Sequence, residues 1–134
     1  MPAINTVAIS DGQATPVEHT YYPVQSSPIA VYREDITSLP VSGQSVLTEG
    51  LVSKGELFKF RVTLDLPVME EASGANPSGY TAAPKVAHIV RADCTFFASK
   101  RSTSDQRNDL MELFMNSLAD PQVRDSFKSL IKPY

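Results

Sequence analysis

The 134-residue chain has one cysteine, two histidines and no tryptophan, and these shortages exclude whole classes of chemistry. Cys94 has no partner for an intrachain disulfide. With His19 and His88 far apart in the sequence, the ligand clustering of a zinc site is missing as well. No metal and no other cofactor is expected. No apolar run exceeds four residues, so neither a membrane-spanning helix nor a signal-peptide core is expected, and the chain should stay in the cytosol of the cell that makes it. A Gly-rich phosphate loop, a Gly-x-Ser-x-Gly elbow and paired histidines are also absent. Glu70-Glu71 read as solvated loop acids, and Cys94 and His88 as packed residues on a strand. An enzyme acting on a small-molecule substrate is not expected.

What is present is an ordinary soluble composition, 42% hydrophobic and 20% charged, at a length that suits one domain spanning residues 1–134. The net charge of -3 argues against blanket binding to nucleic acid, but it is unevenly spread. Residues 1–58 carry two basic and six acidic groups, whereas residues 59–101 carry six basic and four acidic ones. An acidic chain with a local basic face would bind RNA selectively rather than by bulk attraction.

The first half holds short runs rich in Val, Ile, Tyr and Thr, broken by Pro and Gly, so strands joined by turns are expected there. Asn5 to Ile9, the pair Asp11-Gly12 and Thr15 to Val24 read as a hairpin, and Ile29 to Tyr32 as a further strand. The clearest pattern runs from Glu56 to Leu66. Phe58, Phe60, Val62, Leu64 and Leu66 alternate with Lys59, Arg61, Thr63 and Asp65, which packs one face of a strand and leaves the other open. Lys85 to Ala98 repeats the pattern less cleanly, with Val86, His88, Val90, Ala92, Cys94 and Phe96 on one side and Lys85, Ala87, Ile89, Arg91, Asp93, Thr95 and Phe97 on the other. If the two strands are neighbours, Lys59, Arg61, Arg91 and Asp93 share the open face. Between them, residues 67–84 are a long Gly- and Pro-containing connection of the kind used for binding or assembly.

After Ser102 the period changes to about 3.6. Ser102 to Gln106 supply capping residues, and Leu110, Leu113, Phe114 and Leu118, widened by Met111 and Met115, make one stripe. Asp120 and Pro121 suit the N-cap and first turn of a second helix carrying Val123, Phe127, Leu130 and Ile131. The expected class is α+β: an antiparallel sheet followed by two C-terminal helices. From pattern alone, the Lys59, Arg61, Arg91 and Asp93 face reads either as a solvated sheet surface or as an RNA platform. In the second case the cations would meet phosphates or bases and Asp93 would accept from a base amino group.

Several strings in this order resemble the coat proteins of single-stranded RNA bacteriophages, nearest the allolevivirus (Qbeta-like) branch. They are Phe58-Lys59-Phe60-Arg61-Val62-Thr63-Leu64, Arg91-Ala92-Asp93-Cys94-Thr95-Phe96, Ser102-Thr103-Ser104-Asp105 and the terminal Lys132-Pro133-Tyr134. They cover residues 56–134; residues 1–55 match in strand order. The resemblance implies an N-terminal β-hairpin, a five-stranded antiparallel sheet and two helices. It further implies an interlocked homodimer, and an icosahedral shell enclosing the RNA genome, assembled in the bacterial cytoplasm through the 67–84 loop. It also implies that the inner sheet binds a hairpin in the viral RNA as translational repressor and packaging signal. The RNA-binding residues it implies are Lys59, Arg61, Thr63, Arg91 and Asp93. Arg91 departs from the tyrosine usual in the family, and the 67–84 loop lacks the cysteines that link subunits in the Qbeta-like branch. A free-standing RNA-binding regulator with the same sheet and helices is the alternative.

Overall fold

The computed structural model of the chain describes residues 3–71, 77, 79 and 83–133. Six strands, β1 (Val7–Ser10), β2 (Glu18–Gln25), β3 (Ala30–Glu34), β4 (Val46–Lys54), β5 (Leu57–Met69) and β6 (Val86–Ser99), precede two helices, α1 (Ser104–Ala119) and α2 (Pro121–Ser129). Each strand pairs antiparallel with its sequence neighbours, giving the order β1-β2-β3-β4-β5-β6. The expected hairpin is β1 with β2. All six strands form one sheet, of which β2 to β6 are the expected five, so β2 belongs to both.

Local chemistry explains the joints. The β1–β2 turn is longer than an Asp-Gly pair, and Asp11 organises it: its carboxylate accepts from the backbone N–H of Gln13 at 3.1 Å and of Val17 at 3.0 Å. Pro23 has no N–H for the ladder, and the register slips by a bulge between Pro23 and Gln25. β4 turns directly into β5 at Gly55, whose φ of 59° is a left-handed value that glycine adopts without steric cost.

The β5–β6 register places Phe60 opposite Phe96, Val62 opposite Cys94 and Leu64 opposite Ala92, so the two alternating patterns fall on the faces expected from their period. The connection is shorter than expected. β5 continues through Pro67 to Met69, and Glu70 N–H bonds to Lys85 O at 2.8 Å. Beyond Asp65, β5 pairs only with β6, and such an edge tolerates a proline. Much of the remaining loop, including Asn76, lies outside the described residues.

Thr103 caps α1 in a reciprocal box: its hydroxyl accepts from Gln106 N–H at 3.2 Å, and Gln106 Oε1 accepts from Thr103 N–H at 3.1 Å. Asp120 caps α2 by accepting from Gln122 N–H at 2.9 Å. Leu130 and Ile131, expected on the second helix, lie just past it. Leu130 turns left-handed at φ 57°, and Ile131 N–H closes on Ser126 O at 3.1 Å, ending the helix.

α1 meets the sheet through an edge-to-face contact of Phe114 with Phe96, ring centroids 5.4 Å apart. Beside that contact is a cavity lined by Phe58, Phe60, Phe96, Leu110 and Met111. Little else is covered. Among the described residues, Tyr21 and Tyr32 are the buried core side chains. Leu113 is 70% exposed, Phe127 71% and Leu130 84%. His88, expected to be packed, is exposed opposite Val68, because α1 reaches β6 at Phe96, at the strand's other end. Cys94 is half-buried beside Val62. The chain exposes 10744 Å², whereas a finished globule of 14.6 kDa exposes about 6,900 Å². The apolar stripes of both helices and the sheet face on the α1 side are therefore unfinished surfaces.

Candidate functional site

Residues directly opposite in an antiparallel pair share a face, so the register defines the side of the sheet turned away from α1. β5 contributes Lys59, Arg61, Thr63 and Asp65; β6 contributes Arg91, Asp93 and Thr95, with Thr63 opposite Asp93 and Asp65 opposite Arg91. β4 adds Thr48, opposite Thr63, and the two threonine hydroxyls are hydrogen-bonded. The five sequence candidates, Lys59, Arg61, Thr63, Arg91 and Asp93, thus come together on two adjacent strands.

The two arginines are not free charges. Arg61 donates from Nε to Asp93 Oδ1 at 2.9 Å and from Nη2 to Asp93 Oδ2. Arg91 donates from Nε to Asp65 Oδ1 at 2.5 Å and from Nη2 to Asp65 Oδ2 at 2.7 Å. Both are two-pronged guanidinium–carboxylate pairs. The hydrogen bonds from the arginines hold both carboxyls below the usual aspartate range, and those from the aspartates raise the two guanidinium groups further. Arg61 and Arg91 remain 56% and 60% exposed. Among the described residues, the surface is an open lattice of charged and hydroxyl groups flanked by exposed Ile89 and Phe97, suited to laying a polar chain across the strands.

Asp65 and Thr48 were not among the sequence candidates. Asp65 was findable, since it has the same parity as Lys59 and Arg61. Thr48 needed the β4 register, which no local pattern supplies. A second cluster also escaped the sequence reading. On the opposite face, His19 Nδ1 lies 2.5 Å from Glu34 Oε1, and Nε2 lies 3.3 Å from Asp11 Oδ2. It ties the hairpin turn to β3 and raises the His19 pKa, first through the hydrogen bond with Glu34 and then through that with Asp11. Among the described residues, no group of His, Cys, Asp and Glu side chains is arranged to hold a metal ion.

A family model described as levivirus coat protein matches residues 2–134. Among solved structures, the virus-like particle of bacteriophage ESE058 is similar at 27% identity and TM-score 0.87, covering 99% of this chain and 100% of that one. The virus-like particle of bacteriophage EMS014 is similar at 33% identity and TM-score 0.74, over 84% of this chain and 72% of that one. The bacteriophage GA protein capsid shares the fold at 15% identity and TM-score 0.73, over 95% of each chain. A search of curated protein sequences returned no match.

Proposed function

The chain belongs to the levivirus coat protein family and is a viral coat protein that assembles into a capsid; from that premise we propose that two chains interlock as a dimer whose joined sheets bind RNA. The dimers build an icosahedral shell around the viral RNA genome, in the cytoplasm of the bacterial host. On the sheet, Lys59, Arg61, Thr63, Arg91 and Asp93 make up the RNA-binding face, and an RNA hairpin held there serves as packaging signal and represses translation.

One observation carries this reading: on the α1 side of the sheet Leu51, Leu66 and Val90 are left uncovered, as are the helix stripes beside them, while both arginine–aspartate pairs lie on the other side. The chain as a whole exposes about 3,800 Å² more than a finished globule, several times the roughly 800 Å² per partner that a standard interface buries. A second copy, offering the same helix stripes, removes that surface from water. The charged face is then left for a polyanion.

The test is expression of the chain in bacteria, followed by electron microscopy of the purified protein and extraction of its nucleic acid. Round, uniform particles containing RNA are expected, and a K59E/R91E variant should yield particles depleted of RNA. Soluble protein without particles would contradict the shell. Particles with unchanged RNA content in the variant would contradict the assigned face.

A further inference from the structure

We propose that the two arginine–aspartate pairs make this face a reader of unpaired guanine bases, with Asp65 and Asp93 as positioning residues that aim Arg91 and Arg61 and cancel their charge. The inference rests on the RNA-binding reading above and specifies which part of the RNA the face reads.

The geometry is the same in both pairs. Each aspartate occupies the side of the guanidinium formed by Nε and Nη2. A guanidinium has five N–H donors, so three remain, and among the described residues the fork at the end formed by Nη1 and Nη2 has no further hydrogen-bond partner. Two parallel donors match two classes of acceptor in RNA: a phosphate, and the O6 and N7 atoms of guanine. The aspartates decide between them. With an ionised carboxylate on each arginine, a phosphate arriving at the fork meets a pair of near-zero net charge and is repelled by the carboxylate behind it. A guanine edge is neutral and loses nothing. The carboxylate also fixes the plane of the guanidinium, so less side-chain freedom is lost when the fork closes on a base. Lys59 carries no such pair among the hydrogen bonds of this face and supplies the attraction to phosphate. Asp65 and Asp93 stay ionised well into acid, since both are held below the usual aspartate range.

The experiment uses the full-length chain and fluorescently labelled RNA hairpins whose loops contain guanine, 7-deazaguanine or adenine, titrated over a series of salt concentrations. The guanine loop should bind about tenfold or more tightly than the 7-deazaguanine loop, which lacks N7. The R61K/R91K variant keeps both charges but loses both forks. It should lose that preference with an unchanged salt slope. D65N and D93N should each steepen the dependence of log K on log salt by about 0.7, the release expected for one more phosphate on a single strand, and should raise binding to oligouridylate. E112Q, which removes the same charge from α1, should leave the slope unchanged. Binding that is blind to 7-deazaguanine, or slopes that D65N and D93N do not move, would overturn this inference and leave RNA binding intact. No binding to any RNA at low salt would overturn both.

Discussion

At the scale of single residues, the buried polar groups hold the sheet's middle together. Tyr21 donates to Ser45 Oγ at 2.9 Å, and Ser45 donates in turn to Asp65 O at 2.7 Å. Ser45 is 2% exposed, so S45A leaves a tyrosine hydroxyl and a carbonyl unpaired. It should cost about 1–3 kcal/mol in chemical unfolding; a loss within error would mean that water replaces the hydroxyl. His19 gives a pH prediction. Its pKa is raised in the fold above the ordinary 6.5, first by Glu34 and then by Asp11. The stabilisation is therefore fully present below pH 6.5 and disappears as pH rises through the raised value. A neutral imidazole has one donor and faces two carboxylates, so one contact is lost. Amide exchange at Ile9 and Ser10, corrected for its intrinsic pH dependence, should speed up across that range in the wild type and show no such step in H19Q. Little of this was legible in the sequence. Tyr21, Ser45 and Asp65, or Asp11, His19 and Glu34, come from separate strands or turns, and only the register brings them together.

Elements were more legible than residues, because a period is a local property and a register is not. The alternation from Phe58 to Asp65 and the stripe from Leu110 to Leu118 reported strand and helix directly. Thr103, Gln106, Asp120 and Pro121 marked both helix starts, since capping needs only neighbours within three residues. The ends were harder to read. Leu130 stops α2 in a left-handed turn without the usual glycine, so the apolar spacing ran on past the helix. Pro67 read as the start of a loop because its place on a strand edge depends on where β4 stops pairing. This sets the limits for altering the β5–β6 connection. Replacing residues within 72–82 by a tight turn preserves the ladder to Met69 and from Val86, so dimers should form as before. If that connection is an assembly element, electron microscopy should then show no regular shells. Wild-type particles from the shortened chain would remove it from the assembly contacts.

On the scale of the whole molecule, the described residues form regular strands and helices around an incomplete core. Two buried tyrosines among the described residues are far too little for a chain of this length, and hydrophobic stabilisation follows the area removed from water. A chain that leaves Leu113, Phe127 and Leu130 more than two-thirds exposed gains most of its stability on pairing, so folding and dimerisation should be one event. The sequence hinted at this, since two strongly apolar helices followed a sheet too small to cover them. It did not give the magnitude, which needs the exposed area. The same surface separates the two ends of the account: if the apolar face is not closed by a second copy, the opposite face is not the lining of a shell. Sedimentation equilibrium of the soluble, unassembled protein, combined with circular dichroism over a dilution series, tests this most directly. The smallest folded species is expected at twice the 14.6 kDa chain mass, with secondary structure lost as dilution dissociates it. A folded species of single-chain mass that keeps its secondary structure on dilution would contradict it.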